Sequence, residues 1–215
     1  YSAASPDIDV LNNGGYFNNN AGGSDKDQLT PILEETIEGV DVSGSALFGY
    51  DYQDGNVIYG VEGDLTFMPF SETENNGPTA YDTNATQTFT SQMTVETDFT
   101  FSIRPKIGYA TGNWQLYVAA GPSVSRFKTT HKFTDTFNPI DHTFTDTKTA
   151  FGFSSSIGTG YMIGNGWSLR GDYVMTYFPR ITNGDADINS DGKTDFSYDS
   201  DFQSHNVRFA LIKRF

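Results

Sequence analysis

Asp187, Asn189, Asp191 and Asp195, with Gly192 and Lys193 between them, place oxygen-bearing side chains at positions 1, 3, 5 and 9 of a short run. Calcium takes six to eight oxygen ligands, and this spacing, with a backbone carbonyl at position 7 (Lys193) and a glycine at the sharp turn, matches a calcium loop. Position 12 falls on Tyr198 rather than an acid, with Asp199 and Asp201 as substitutes if the chain bulges. The competing reading is a solvated acidic loop. A second set, Glu62, Asp64, Arg104, Lys106, Arg170, Asp172 and Arg208, lies among apolar residues that alternate with it. If these charges share one enclosed face they must pair, because unpaired charges there would cost several kcal/mol. Paired, they plug a bore; unpaired, they line an ion path. The candidates for a general base are His131, His142 and His205. Ser204 precedes His205, but neighbours on a strand point to opposite faces and cannot form a nucleophile–base pair. His131 and His142 lie in a threonine-rich stretch and are expected to face water. The sequence contains no Walker motif, phosphate-cradling glycine loop or HExxH.

The elements that hold these groups read as strands. Val40 to Tyr52 alternates apolar with polar residues, Asp54-Gly55-Asn56 turns the chain, and Val57 to Phe67 alternates back. Two further hairpins follow, turning at Thr111-Gly112-Asn113 and Gly164-Asn165-Gly166, and a last strand runs from about His205 to Phe215. Seven strands are clear over 40–215, each of about 10 to 15 residues. Polar segments at roughly 71–94, 127–148 and 179–202 separate the hairpins. Short turns therefore alternate with long loops, the rhythm of a transmembrane barrel. Residues 1–39 are expected to hold the end of a first strand, Tyr1-Ser2-Ala3-Ala4, and a loop from about Ser5 to Glu35. The sequence then lacks most of that strand, unless residues 1–17 form it irregularly. Tyr1 to Val10 has neither the basic start nor the apolar run of a secretory leader, so the sequence reads as mature or cytosolic.

Composition points the same way. Of 215 residues 15% are aromatic and only 36% hydrophobic, and no run approaches the roughly 20 apolar residues of a membrane helix. A net charge of -14 argues against nucleic acid, and the lack of cysteine removes disulfides and thiolate chemistry. The charged face is rich in Gly and Ser, which suits a crowded lumen with the apolar face turned to lipid. A lipocalin-like soluble barrel is the rival architecture. Tyr52, Tyr59, Tyr109, Trp114, Tyr161 and Trp167 cluster at the short turns as one aromatic girdle.

On the stretches Tyr59 to Leu65, Arg104 to Ala110, Leu116 to Pro122, Trp167 to Tyr173 and Val207 to Phe215, the chain resembles the small porin-family, OmpA-like outer-membrane barrels. The resemblance covers about 40–215. It implies an all-β, antiparallel up-and-down transmembrane barrel of about eight strands, in one domain spanning 1–215, with short periplasmic turns and long loops facing the exterior. It also implies that the terminal aromatic, Phe215, belongs to the signal read by the barrel-insertion machinery, although Lys213 stands where an aromatic is usual. The expected partners are outer-membrane lipids and lipopolysaccharide, and the loops are free for adhesion, cation binding or another extracellular partner. No cofactor is required beyond the candidate calcium ion. The function expected is a non-enzymatic surface barrel; the alternatives are a narrow channel and, further off, a lipid A-modifying enzyme.

Overall fold

The computed structural model describes residues 1–11, 15–17, 24–137 and 139–215. The chain runs β1 (Ser2–Val10), α1 (Asp25–Leu33), β2 (Ile37–Gly39), β3 (Gly44–Asp54), β4 (Val57–Ala80), β5 (Thr88–Thr111), β6 (Trp114–Asp135), β7 (Ile140–Gly164), β8 (Trp167–Ala186) and β9 (Phe196–Lys213). All pair antiparallel in one nine-stranded sheet of order β2-β1-β9-β8-β7-β6-β5-β4-β3. Its two ends, β2 and β3, are successive pieces of one stretch of chain, so the sheet returns on itself as eight staves. Where β2 pairs with β1, Gly39 also lies against Phe70 and Glu72 of β4. Below Tyr1, β3 and the lower half of β9 have no ladder between them among the described residues.

Three tight turns occupy one rim, and residues in the left-handed region make them: Gly55 (φ 57), Gly112 (φ 56), and Asn165 with Gly166 (φ 52 and 75). Side chains here meet a steric barrier that glycine lacks. At the opposite rim the three expected long loops are mostly strand. β4 continues to Ala80, β5 begins at Thr88, β6 reaches Asp135 and β7 starts at Ile140, which leaves tips at 81–87, 136–139 and 187–195. β1 also outruns the four residues assigned to it from sequence. A 24-residue strand is about 80 Å long at about 3.3 Å per residue, and about 55 Å tall at a tilt near 45°. An apolar band is only about 25 Å tall, so more than half of a strand of that length stands beyond it.

The burial pattern inverts along each stave. Near the tight turns Tyr59, Val61, Leu65, Ile103, Ile107, Leu116, Val118, Ile157 and Leu169 face outward and are exposed, while Glu62, Asp64, Arg104 and Ser154 are buried. Toward the tips the large buried side chains are mostly apolar, including Phe70, Phe89, Val95, Phe127, Phe133, Phe178, Phe196 and Phe202, which form one cluster. The outward positions there are Ser, Thr, Glu and Lys. On β5 a bulge between Thr97 and Thr100 carries the switch, moving the buried positions from even numbers (Thr100, Ser102, Arg104) to odd ones (Phe89, Met93, Val95). The same chain is thus lipid-facing below and water-facing above.

α1 completes the outer half. Ser24 caps it by accepting from the Asp27 N–H, and Leu29 and Leu33 enter the apolar cluster beside Phe17. Gln28 ties the helix to the β4–β5 tip, donating to the Ala80 carbonyl (2.8 Å) and accepting from the Asp82 N–H (2.9 Å). Above Phe153–Tyr177, β7 and β8 no longer pair. Side chains span that notch: Phe144 stacks on Tyr198 at 4.1 Å, and Asp146 accepts from the Asn183 N–H.

Candidate functional site: a buried charge network in the bore

Strand register sets the first link. Glu62 on β4 stands directly opposite Arg104 on β5, and Asp172 on β8 opposite Arg208 on β9. Only the first of these neighbour pairs becomes an ion pair. Arg104, 1% exposed, donates from Nε to Glu62 Oε1 (3.1 Å), from Nη2 to Asp64 Oδ2 (2.6 Å) and from Nη1 to Ser154 Oγ (3.1 Å). Arg208 reaches across the bore to Asp64 Oδ2 (2.5 Å). Arg170 makes a two-pronged contact with Glu62 (2.9 and 3.2 Å) and turns Nε to Asp172 Oδ2 (2.6 Å). Thr66 donates to the free oxygen of Asp64 (2.7 Å), and the Tyr117 hydroxyl donates to Asp172 Oδ1. Three carboxylates and three guanidiniums therefore neutralise one another, with the forks filling most lone pairs.

Six of the seven charges singled out from sequence meet in this network. Lys106 does not; it pairs with Asp51 of β3 at 2.7 Å. Tyr117 is an addition. Its ring lies 4.6 Å from the Arg170 guanidinium and 5.2 Å from the Lys106 ammonium, so one side chain serves as hydrogen-bond donor and cation platform. Alternation puts Tyr117 on the polar face in the sequence; what it lacks there is a charge to draw attention. A Cβ at Gly158 would collide with the Asp172 carboxylate and the Tyr117 hydroxyl, so any side chain there would have to push these two groups out of their contact. Chemically the cluster offers no free acid or base, since each carboxylate is held by cations.

Tyr52, Tyr59, Tyr109, Trp114, Tyr161 and Trp167 are all outward and exposed, Trp114 packs on Tyr161 at 4.8 Å, and Lys213 lies 5.2 Å from the Trp167 ring. Phe215 is fully exposed beyond the end of β9.

His131 does not face water. It is 1% exposed, inside the outer apolar cluster, with Nε2 2.9 Å from Ser91 Oγ and Nδ1 2.8 Å from the Tyr198 hydroxyl. The inward parity of β6 puts it there, a signal hidden by the threonines around it. A serine beside an imidazole suggests a nucleophile, yet all three groups are buried and the third is a phenol, not a carboxylate that would stabilise an imidazolium. Burial, and secondarily the charge of His142, push the imidazole down to about 4 from its ordinary 6.5. The unfolded ring binds its proton near 6.5 and the folded one near 4. The unfolded state therefore holds more protons in between, and stability is full above 6.5 and falls as pH drops through that window. The loss reaches about 3 kcal/mol below the folded value. Hydrogen exchange of β5, β6 and β9 amides across the window is expected to show this opening, and His131→Gln is expected to flatten it.

At the β8–β9 tip, Asp187 accepts from the backbone N–H groups of Asp191 (3.1 Å) and Gly192 (2.7 Å), and Asp191 accepts from that of Lys193 (2.9 Å). Those bonds hold the Asp187 carboxyl below its usual range. Asn189 accepts from the Asp191 N–H and its amide lies 3.4 Å from the Asp191 carboxylate. Asp195 is fully buried, accepting from the Ile188 N–H through Oδ2. Neither proposed substitute for position 12 is available. Asp199 pairs with Arg180 and Asp201 accepts from Tyr177, both within β9. Among the described residues no three His, Cys, Asp or Glu side chains are grouped to hold a metal ion, and no helix is long and apolar enough to cross a membrane.

Comparison with known proteins matches the outer membrane protein beta-barrel domain family to residues 3–208. The chain is 26% identical over 194 residues to the 31 kDa outer-membrane immunogenic protein of Brucella melitensis, spanning 89% of this chain and 72% of that one. It is 24% identical over 172 residues to the 22 kDa outer membrane protein of Rhizobium leguminosarum bv. viciae, spanning 80% and 65%. Among solved structures, the outer membrane protease OmpT of Escherichia coli overlays with a TM-score of 0.46 at 8% identity, over 85% of this chain and 66% of that one. With an apolar band around an antiparallel up-and-down sheet and a family match over nearly its whole length, the chain belongs to the outer membrane protein β-barrel domain family and is a protein of the bacterial outer membrane.

Proposed function

We propose that this protein works without catalysis, as a surface barrel whose bore is sealed and whose outer staves and acidic tips meet the exterior. The observation that carries the reading is the neutral network of Glu62, Asp64, Asp172, Arg104, Arg170 and Arg208, which spans the bore from β4 to β9 with each charge paired to one of opposite sign. A channel needs charges that bind ions weakly and release them, whereas these are held by one another. The apolar cluster of the outer half adds a second closure above the first. Membrane lipids and lipopolysaccharide would contact the apolar band, and the barrel-insertion machinery would read β9 with the Phe215 that follows it. The description of the Brucella relative as immunogenic supports exposed outer loops. Recording the purified protein in planar bilayers tests the seal: the expected trace has no steady conductance, and a large steady one would overturn the reading.

A further inference from the structure

We propose that the β8–β9 tip binds one calcium ion through the Asp187 and Asp191 carboxylates, the Asn189 side-chain carbonyl and the Lys193 backbone carbonyl, with Asp195 joining through water. Asp195 is the observation beyond the acidic spacing. Its side chain is fully buried, and Oδ1 has no hydrogen-bond partner. Its other oxygen accepts from the Ile188 N–H at 3.0 Å, which ties the carboxylate to the loop of 187–191. Buried carboxylate oxygens are rarely left without a donor or cation. The charges that reach Asp195 are Asp191 and Asp187, both of its own sign. Lys193 supplies no relief, being exposed and outside every ion pair of the described residues. A divalent cation is the group this pocket of like charge lacks.

Calcium is the chemical match because the set combines two carboxylates, an amide and a carbonyl. A hard cation of flexible geometry accepts these, whereas transition metals select imidazole or thiolate. Such a set contains no triad of acids at the ion, since position 9 works through water. Gly192 (φ 85) and Ser190 (φ 60) bend the chain, and the Asp195 N–H clamps the base of the loop on the Ala186 carbonyl at 2.8 Å. Ile188 and Phe196 flank the loop inside the apolar cluster, so an ion bound here would fasten the tip to the outer core. Tyr198 at position 12 brings no bidentate acid, which places the affinity in the range of extracellular modules, a Kd of about 10⁻⁴ to 10⁻³ M.

The test is calorimetric titration of calcium chloride into the full chain, refolded in detergent free of lipopolysaccharide and stripped with chelator. One saturable site in that range is expected, with magnesium at least about tenfold weaker because it demands a stricter octahedron. Asp191→Asn, whose side chain is exposed, and Asp187→Asn are each expected to weaken calcium by about tenfold or more, while Asp185→Asn, outside the spacing, leaves it unchanged. A heated-against-unheated gel confirms that each variant is folded. No saturable heat at millimolar calcium, or equal weakening by Asp185→Asn, overturns the site.

Discussion

Arg104→Met is expected to lower stability by about 3–5 kcal/mol, the range for removing one partner of a buried ionic group. Methionine fills nearly the same space, so little of the loss comes from a cavity; what changes is charge. The network goes from three cations against three anions to two against three, and Glu62, Asp64 and Ser154 each lose a donor. Arg170 and Arg208 still hold Glu62 and Asp64, which keeps the barrel assembled and the loss measurable. Urea unfolding in lipid vesicles, followed by Trp114 and Trp167 fluorescence, reads the change. Adding Glu62→Gln to the same variant is expected to recover part of it by restoring neutrality. A loss under about 1 kcal/mol would mean that water, and not Arg104, satisfies these carboxylates.

Phe133→Ala is expected to cost a comparable 3–5 kcal/mol, roughly the range for emptying a buried aromatic site. Here the mechanism is packing. Phe133 is fully buried and its ring meets Phe196 at 5.2 Å, Phe17 and Phe89 at 6.2 Å and His131 at 6.4 Å. Because strands and α1 both rest on this cluster, the loss should appear as faster amide exchange in the outer half, with the lipid-facing half still resistant. Phe137→Ala, four residues on but 61% exposed at the tip, is expected to change stability by less than about 0.5 kcal/mol. Equal effects at the two positions would refute a packed outer core.

The membrane half was legible because its physics is local. Each residue there has one of two environments, lipid or bore, and period-2 alternation reports which. Glu62, Asp64, Arg104 and Asp172 stand out as charges repeating on the face opposite Val61, Leu65 and Ile103. The outer half was not legible, although its strands alternate too. There the apolar residues face inward and are separated by Thr, Lys and Asp, as in Phe127 to Phe133, so the stretch has the composition of a loop. The β5 bulge adds a second obstacle, since one extra residue moves every later side chain to the other face.

The sequence by itself determined the strand periodicity, the three tight turns, the lipid-facing band and the family resemblance, because each depends on neighbours a few residues apart. Only the tertiary structure decided that Arg208 serves Asp64 and not the Asp172 opposite it, that Lys106 leaves the network for Asp51, and that His131 is enclosed by Ser91 and Tyr198. Those partners lie 40 to 144 residues apart or on separate staves. Closing the sheet into a bore is what brings them together: long side chains then choose among partners across the lumen by reach and geometry, and no spacing along the chain records that choice.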